Sequence, residues 1–189
     1  MSESDSVARW ELAAGKTMRA PSPTAIEQEV IQLFDELRSG LLRYLLGFGL
    51  PSQDGEEVIQ EVFLALFQHL QRGRSRENLH GWIFRVAHNL GLKRRMASAR
   101  EALVISDEGL AAAMADRGEN PEEQLLSSRQ HKRLQMVFRA LPEQDQWCLS
   151  LRAEGLRYRE IAEVLDISLA SVSTSLGRSL ARLSRVAGD

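Results

Sequence analysis

The residues best placed to do chemistry lie between Asp54 and Arg95, and their types point to charge recognition rather than bond making. Glu56, Glu57, Gln60 and Glu61, with Asp54 just before them, share one side of a segment whose other side is apolar. Val58, Ile59, Val62, Phe63, Leu66, Phe67 and Leu70 form that apolar face at helical spacing, so the segment predicts an amphipathic helix with an acidic face open to a partner. A basic break, Arg72-Gly-Arg-Ser-Arg76, leads into a second helical segment. There Trp82, Ile83, Val86 and Leu90 make the apolar stripe, bordered by Ala87. Arg85, His88, Asn89, Lys93, Arg94 and Arg95 lie off it. An acidic helix followed by a basic one carrying an exposed carboxamide predicts two partners of opposite charge.

Charge is segregated along the chain. From Arg72 to Arg100 there are eight Lys and Arg against one acid, and from Glu101 to Glu123 seven acids against one base. The formal net charge of −2 excludes a uniformly basic coat for a polyanion, whereas the local basic patch favours one. No Ser/His/Asp, Cys/His or glycine-rich phosphate loop is present, so no enzyme is expected. His69, His80, His88 and His131 share no metal-ligand spacing, and Cys148 is the sole cysteine, so neither a metal, a cofactor nor a disulfide is expected. No apolar run approaches the roughly 18 residues of a membrane span, and no signal-peptide core is visible; the chain reads as soluble and cytoplasmic.

The elements that must position these residues read as helices throughout, with no alternating strand pattern. Residues 1–23 are polar, end in Pro21-Ser-Pro23 and read as a disordered leader, with one marginal helix over Val7–Ala14. Thr24 and Glu27 form a capping-box pattern ahead of an apolar series from Ile26 to Leu46, closed by Gly47-Phe-Gly49. The basic helix is expected to end near Ala99. Residues 100–121 are acidic and end in Asn120-Pro121, the composition of a flexible linker, with a short helix around Leu110–Met114. Beyond it, Leu125, Leu126, Leu134, Val137, Phe138 and Leu141 carry a long helix from Pro121, and Pro142 is the expected first residue of the next, which stops at Gly155. The fold class is all-α: two small helical domains, residues 24–99 and 122–187, joined by the linker.

Residues 156–183 have the spacing of a helix-turn-helix. Ile161, Ala162 and Leu165 pack the first helix, Ile167 fills the turn, and Val172 and Leu176 anchor the second, capped by Ser168 or Ser171. Ser168, Ser171, Ser173, Thr174 and Arg178 then face outward, residue types that contact base edges and phosphates in a major groove.

Together these segments resemble the extracytoplasmic-function (ECF) sigma factors of bacterial RNA polymerase. Asp54-Gly-Glu-Glu-Val-Ile-Gln-Glu-Val-Phe63 is similar to the family's core-binding segment, and Gly81-Trp-Ile-Phe-Arg-Val-Ala-His-Asn-Leu90 to its promoter-melting segment. Leu141-Pro-Glu143 and Glu160-Ile-Ala162 match the opening and the helix-turn-helix of region four. The resemblance implies that residues 24–99 are region two, a helical bundle, and residues 122–187 region four. It further implies that Asp54, Glu57, Gln60 and Glu61 dock the β′ clamp helices of core RNA polymerase, and that region four meets the β flap. Trp82, Arg85, His88, Asn89, Lys93, Arg94 and Arg95 would then contact the melting promoter element, Asn89 accepting a flipped base, while the helix-turn-helix reads the distal element. An anti-sigma factor is the implied regulatory partner. The chain departs from the usual pattern where Ser173 and Ser175 replace basic residues and Leu92-Lys-Arg-Arg95 replaces an Asp-x-x-Arg closure. The competing readings are a sigma mimic that sequesters an anti-sigma factor without touching promoters, and a simple helix-turn-helix repressor, which would leave residues 27–96 without a role.

Overall fold

In the computed structural model, which describes residues 23–105 and 127–187, seven helices and no strand are found among the described residues. They are α1 (Pro23–Gly47), α2 (Ser52–Gln71), α3 (Leu79–Ile105), α4 (Ser127–Arg139), α5 (Glu143–Ala153), α6 (Tyr158–Leu165) and α7 (Leu169–Ala187). Expectations for the leader up to residue 22, for the helix around Leu110–Met114 and for Leu125 and Leu126 fall outside the described residues.

Helices α1, α2 and α3 pack against one another as a first lobe. The apolar face foreseen for α2 is its buried face: Ile59, Val62 and Leu66 are fully covered, and Val58 and Leu70 nearly so. Each such side chain contributes about 1.5–3 kcal/mol relative to exposure. Leu41, Tyr44 and Leu45 of α1 and Ile83, Phe84 and Ala87 of α3 complete this core. Helix α3 approaches α1 closely at Gly91, where a Cβ would lie 2.9 Å from Leu45 Cδ2. The second lobe packs α4, α5 and α6 around α7. Its core holds Cys148, Leu151, Leu156, Ile161, Val172 and Leu176. The lobes also touch, α3 running along α6 and α1 meeting α5.

Three boundaries differ from expectation for local reasons. Helix α1 already includes Pro23, which suits the first helical position, so Thr24 lies inside the first turn rather than capping it. Helix α3 continues to Ile105 because Arg100-Glu-Ala-Leu carries no breaker, so the first residues assigned to the linker are helical. Pro142, with ψ near 144°, caps α5 instead of beginning it. The stops at Gly49 and Gly155, both with positive φ, fall where the sequence puts them.

Candidate functional site

The polar face of α2 divides between neighbours and solvent. Glu56 accepts a hydrogen bond from Arg38 of α1 at 2.6 Å. Glu57 pairs with Arg94 of α3, whose Nε also lies 3.9 Å from Asp54 Oδ1. Two of the four expected docking carboxylates and amides are therefore tied to α3, whereas Gln60 and Glu61 face solvent. One turn on, Leu64 is 59% exposed, an apolar contact on the same helical face that charge patterning alone did not single out.

The α3 residues separate into an outer and an inner set. Arg85, Asn89 and Lys93 are exposed, and Asn89 and Lys93 rim a shallow groove floored by Leu92, Met96 and Ala97 and closed by Arg100. Leu92, Met96 and Arg100 were not among the expected site residues; their signal is the continuation of the i, i+4, i+7 series from Asn89. Trp82 is half-buried, its ring 4.7 Å from that of His69. Arg94 serves the ion pairs just described. Arg95 pairs with Glu143 of α5 and lies 5.8 Å from the ring centres of both Phe48 and Trp147.

His88 stands apart from the exposed set. The sequence placed it off the apolar stripe, yet it is 5% exposed, because positions 84, 87, 88 and 91 form the inner edge of α3 where it crosses α1. Its Nδ1 shares a 2.8 Å hydrogen bond with the Tyr44 hydroxyl. Burial, helped by the neighbouring Arg95 cation, pushes its pKa down to about 4, so the ring is neutral near pH 7. Burial likewise holds the Tyr44 hydroxyl protonated far above its ordinary range.

In the second lobe, α6 ends at Asp166 in the left-handed conformation, and α7 starts after Ser168. Ser168 is the cap: its Oγ accepts the Ser171 amide at 3.1 Å, the helix-start bond expected of serine there. Ser173 and Thr174 are exposed, Thr174 Oγ1 donating to the Ala170 carbonyl at 2.9 Å. Arg178 reaches across to α5, its Nη2 3.1 Å from Oδ1 of the buried Asp145. Ser175 is buried together with Ser179, where small side chains let α7 press against α5; it is a packing residue and takes no part in the exposed face. Only Ser173 therefore marks an exposed position where a basic residue is usual. Further cations border this motif unforeseen: Arg157, Arg159, Arg182 and Arg185 are all exposed. Burial pushes the Cys148 thiol up to about 11, which leaves it protonated and inert.

Among the described residues no group of three or more His, Cys, Asp or Glu is arranged to hold a metal, and no helix is long and apolar enough to cross a membrane.

Comparison with known proteins agrees with this division into lobes. Residues 33–101 match the sigma-70 region 2 model, and residues 131–183 match sigma-70 region 4. The ECF RNA polymerase sigma-E factor of Escherichia coli K12 is 26% identical over 136 residues, covering 68% of this chain and 71% of that protein. The RNA polymerase sigma factor YlaC of Bacillus subtilis is 26% identical over 156 residues, 81% of this chain and 88% of that one. Two solved structures share the fold. CnrH in complex with the cytosolic domain of CnrY superposes with a TM-score of 0.57 at 21% identity, covering 86% of this chain and 89% of that one. The sigma factor RpoE of Bartonella quintana in complex with the anti-sigma factor NepR gives 0.58 at 17%, covering 83% and 94%. With region 2 on the first lobe and region 4 on the second, and relatives that carry the ECF name, the chain belongs to the extracytoplasmic-function group of the sigma-70 family.

Proposed function

We propose that this sigma factor docks on core RNA polymerase through the α2 face of Gln60, Glu61 and Leu64 and carries promoter DNA on the outer face of α3. The supporting observation is the arrangement of the first lobe. Its solvent-facing acidic helix and its groove of Asn89, Lys93 and Arg100 lie on different helices of one bundle, so one rigid unit can hold two partners of opposite charge. Asp54 and Glu57 act mainly by fixing Arg94 and hence the angle between α2 and α3. Asn89 offers a carboxamide that can pair with a base edge, and Arg85, Lys93 and Arg100 neutralise phosphates beside it. Met96 and Leu92 give an extruded base an apolar floor, which offsets part of the few kcal/mol that unstacking costs. Region 4 presents Ser168, Ser171, Ser173 and Thr174 to the distal element, with Arg157, Arg159, Arg182 and Arg185 beside them for the phosphate backbone. In this scheme it is held there by the β flap. Nothing in this role breaks or makes a covalent bond, so the chain is a non-catalytic initiation factor working in the cytoplasm. An anti-sigma factor is its proposed regulator, a reading supported by the RpoE–NepR complex among the similar folds.

The test is affinity for purified bacterial core polymerase, wild type against the Gln60→Ala/Glu61→Lys double variant. Reversing a charge at a complementary interface costs several kcal/mol, so a loss of about a hundredfold is expected. Equal binding by both proteins would remove α2 from the docking surface. Binding by neither, with both folded, would favour a mimic that engages only an anti-sigma factor.

A further inference from the structure

The second helix of a helix-turn-helix lies in the major groove with its N-terminal residues toward the base edges, and in this chain that helix is α7. Its outer side, opposite the buried Val172 and Leu176, carries Ala170, Thr174, Gly177, Ala181 and Ser184, all exposed. The polar groups along this side are already engaged within the protein. Thr174 Oγ1 donates to the Ala170 carbonyl at 2.9 Å, and Ser184 Oγ to the Ala181 carbonyl at 3.2 Å. Ser168 and Ser171 share a 2.8 Å hydrogen bond between their hydroxyls. Arg178 turns Nη2 to both carboxylate oxygens of Asp145, at 3.1 and 3.4 Å. What remains outward is mostly methyl: Cβ of Ala170 and Ala181, and the methyl group of Thr174. Leu169, the first residue of α7, adds a larger apolar side chain that is 49% exposed. Gly177 has no packing reason to be glycine, since a Cβ there would meet nothing within 4 Å. Glycine in mid-helix costs stability, and its use on an open face is to let another surface come close to the backbone.

We infer that α7 reads an A·T-rich distal element through thymine methyl groups, with Gly177 admitting the helix backbone deep into the groove. This specificity rests on the distal-element role proposed for region 4 above. Bidentate readout needs Arg or Lys for guanine, Asn or Gln for adenine, or a carboxylate for cytosine, and none of these stands on the outer ridge from Ala170 to Ser184. Alanine and threonine methyls instead meet the C5-methyl of thymine, a contact that guanine and cytosine cannot return. Leu169 extends the same apolar contact at the end of the helix nearest the bases. The cations agree with this division. Arg182 and Arg185 stand in the C-terminal half of α7, and Arg157 and Arg159 flank the start of α6, where they suit phosphates. Such backbone contacts hold every sequence alike, so selection falls to the methyl groups.

The experiment uses holoenzyme assembled from core polymerase and the full-length chain, as wild type, Thr174→Ser or Gly177→Ala. Promoter duplexes come from the transcript starts that the wild-type holoenzyme makes on fragmented genomic DNA, and hydroxyl-radical footprinting marks the upstream segment it protects. Each duplex is prepared with thymine or with deoxyuridine in that segment, a change that removes the methyl group and keeps the base pair. One buried methyl is worth about fourfold in affinity, so wild type should bind deoxyuridine DNA about fourfold more weakly for each thymine in contact. Thr174→Ser keeps the hydroxyl and should lose about fourfold on thymine DNA, with almost no loss on deoxyuridine DNA. Gly177→Ala should be at least as stable to urea as wild type, because its Cβ meets open space and alanine favours the helix. It should nevertheless bind thymine DNA about fifteenfold more weakly, the loss of two methyl contacts. Equal affinity for thymine and deoxyuridine DNA overturns the methyl readout, as does a protected segment made mostly of G·C pairs. Undiminished binding by Gly177→Ala overturns the close approach. Holoenzyme that makes no starts beyond those of core alone, or protects no upstream duplex, refutes the role of region 4 itself, whereas protection with equal affinities refutes this inference alone.

Discussion

The position of His88 makes a sharp, quantitative prediction about acid stability. A histidine pKa lowered from 6.5 to about 4 means that the folded chain binds fewer protons than the unfolded chain between those values. Stability is accordingly full above pH 6.5, falls as pH drops through 6.5, and finishes falling near pH 4. The complete loss is about 3 kcal/mol, at about 1.36 kcal/mol for each pH unit between 6.5 and about 4, and about 2 kcal/mol of it is gone by pH 5. The assay is urea unfolding at pH values from 8 to 5, comparing wild type with His88→Gln. Glutamine keeps a hydrogen-bonding partner for Tyr44 and cannot titrate. Differencing the two proteins cancels the other histidines, whose number is unchanged. Wild type should lose about 2 kcal/mol more than the variant over this range. Parallel curves, or a His88 ring signal titrating near 6.5 by NMR, would refute the claim that His88 is buried neutral beneath Tyr44 and Trp147.

Three further outcomes follow from named contacts. Replacing Asn89 with alanine should lower promoter opening by an amount equivalent to about 1–3 kcal/mol, with core polymerase affinity unchanged, as read by permanganate footprinting beside a binding titration. Arg178→Ala strands the buried Asp145 carboxylate, so thermal or urea unfolding should show a loss of about 3 kcal/mol in the second lobe, far beyond what a surface cation would cost. Leu66→Ala, at a fully covered site beneath the proposed docking face, should cost about 2–5 kcal/mol by denaturant unfolding and leave the exposed groups Gln60 and Glu61 in place.

Much of this was legible in the chain itself, for reasons that differ by residue. The α2 face from Val58 to Leu70 obeys strict helical spacing, and periodicity is what burial against α1 and α3 reads out. Ile161, Ile167, Val172 and Leu176 were recoverable because a helix-turn-helix is a local motif whose core and turn fall within twenty residues. His88 was misplaced because a polar ring beside an apolar stripe normally points to solvent. What buries it is Tyr44, 44 positions earlier, and Trp147 from the other lobe. Ser175 looked like a missing basic contact for the same reason: its burial depends on where α5 lies, and no local signal carries that. The contact between α1 and the end of α5 was invisible altogether, since Arg43 and Glu154, which pair there, are 111 positions apart with no pattern linking them. Charge patterning also hid the tie between the two proposed surfaces, where Arg94 of the basic helix holds Asp54 and Glu57 of the acidic one.

The central claim is that this chain supplies promoter specificity to core RNA polymerase, and run-off transcription tests it most directly. Core polymerase is mixed with fragmented DNA of the source genome, with and without the purified protein, and the transcript starts are sequenced. New starts sharing two spaced upstream elements, abolished by Gln60→Ala/Glu61→Lys and weakened by Asn89→Ala, are the predicted result. A chain that binds core polymerase yet yields the same starts as core alone would contradict the account.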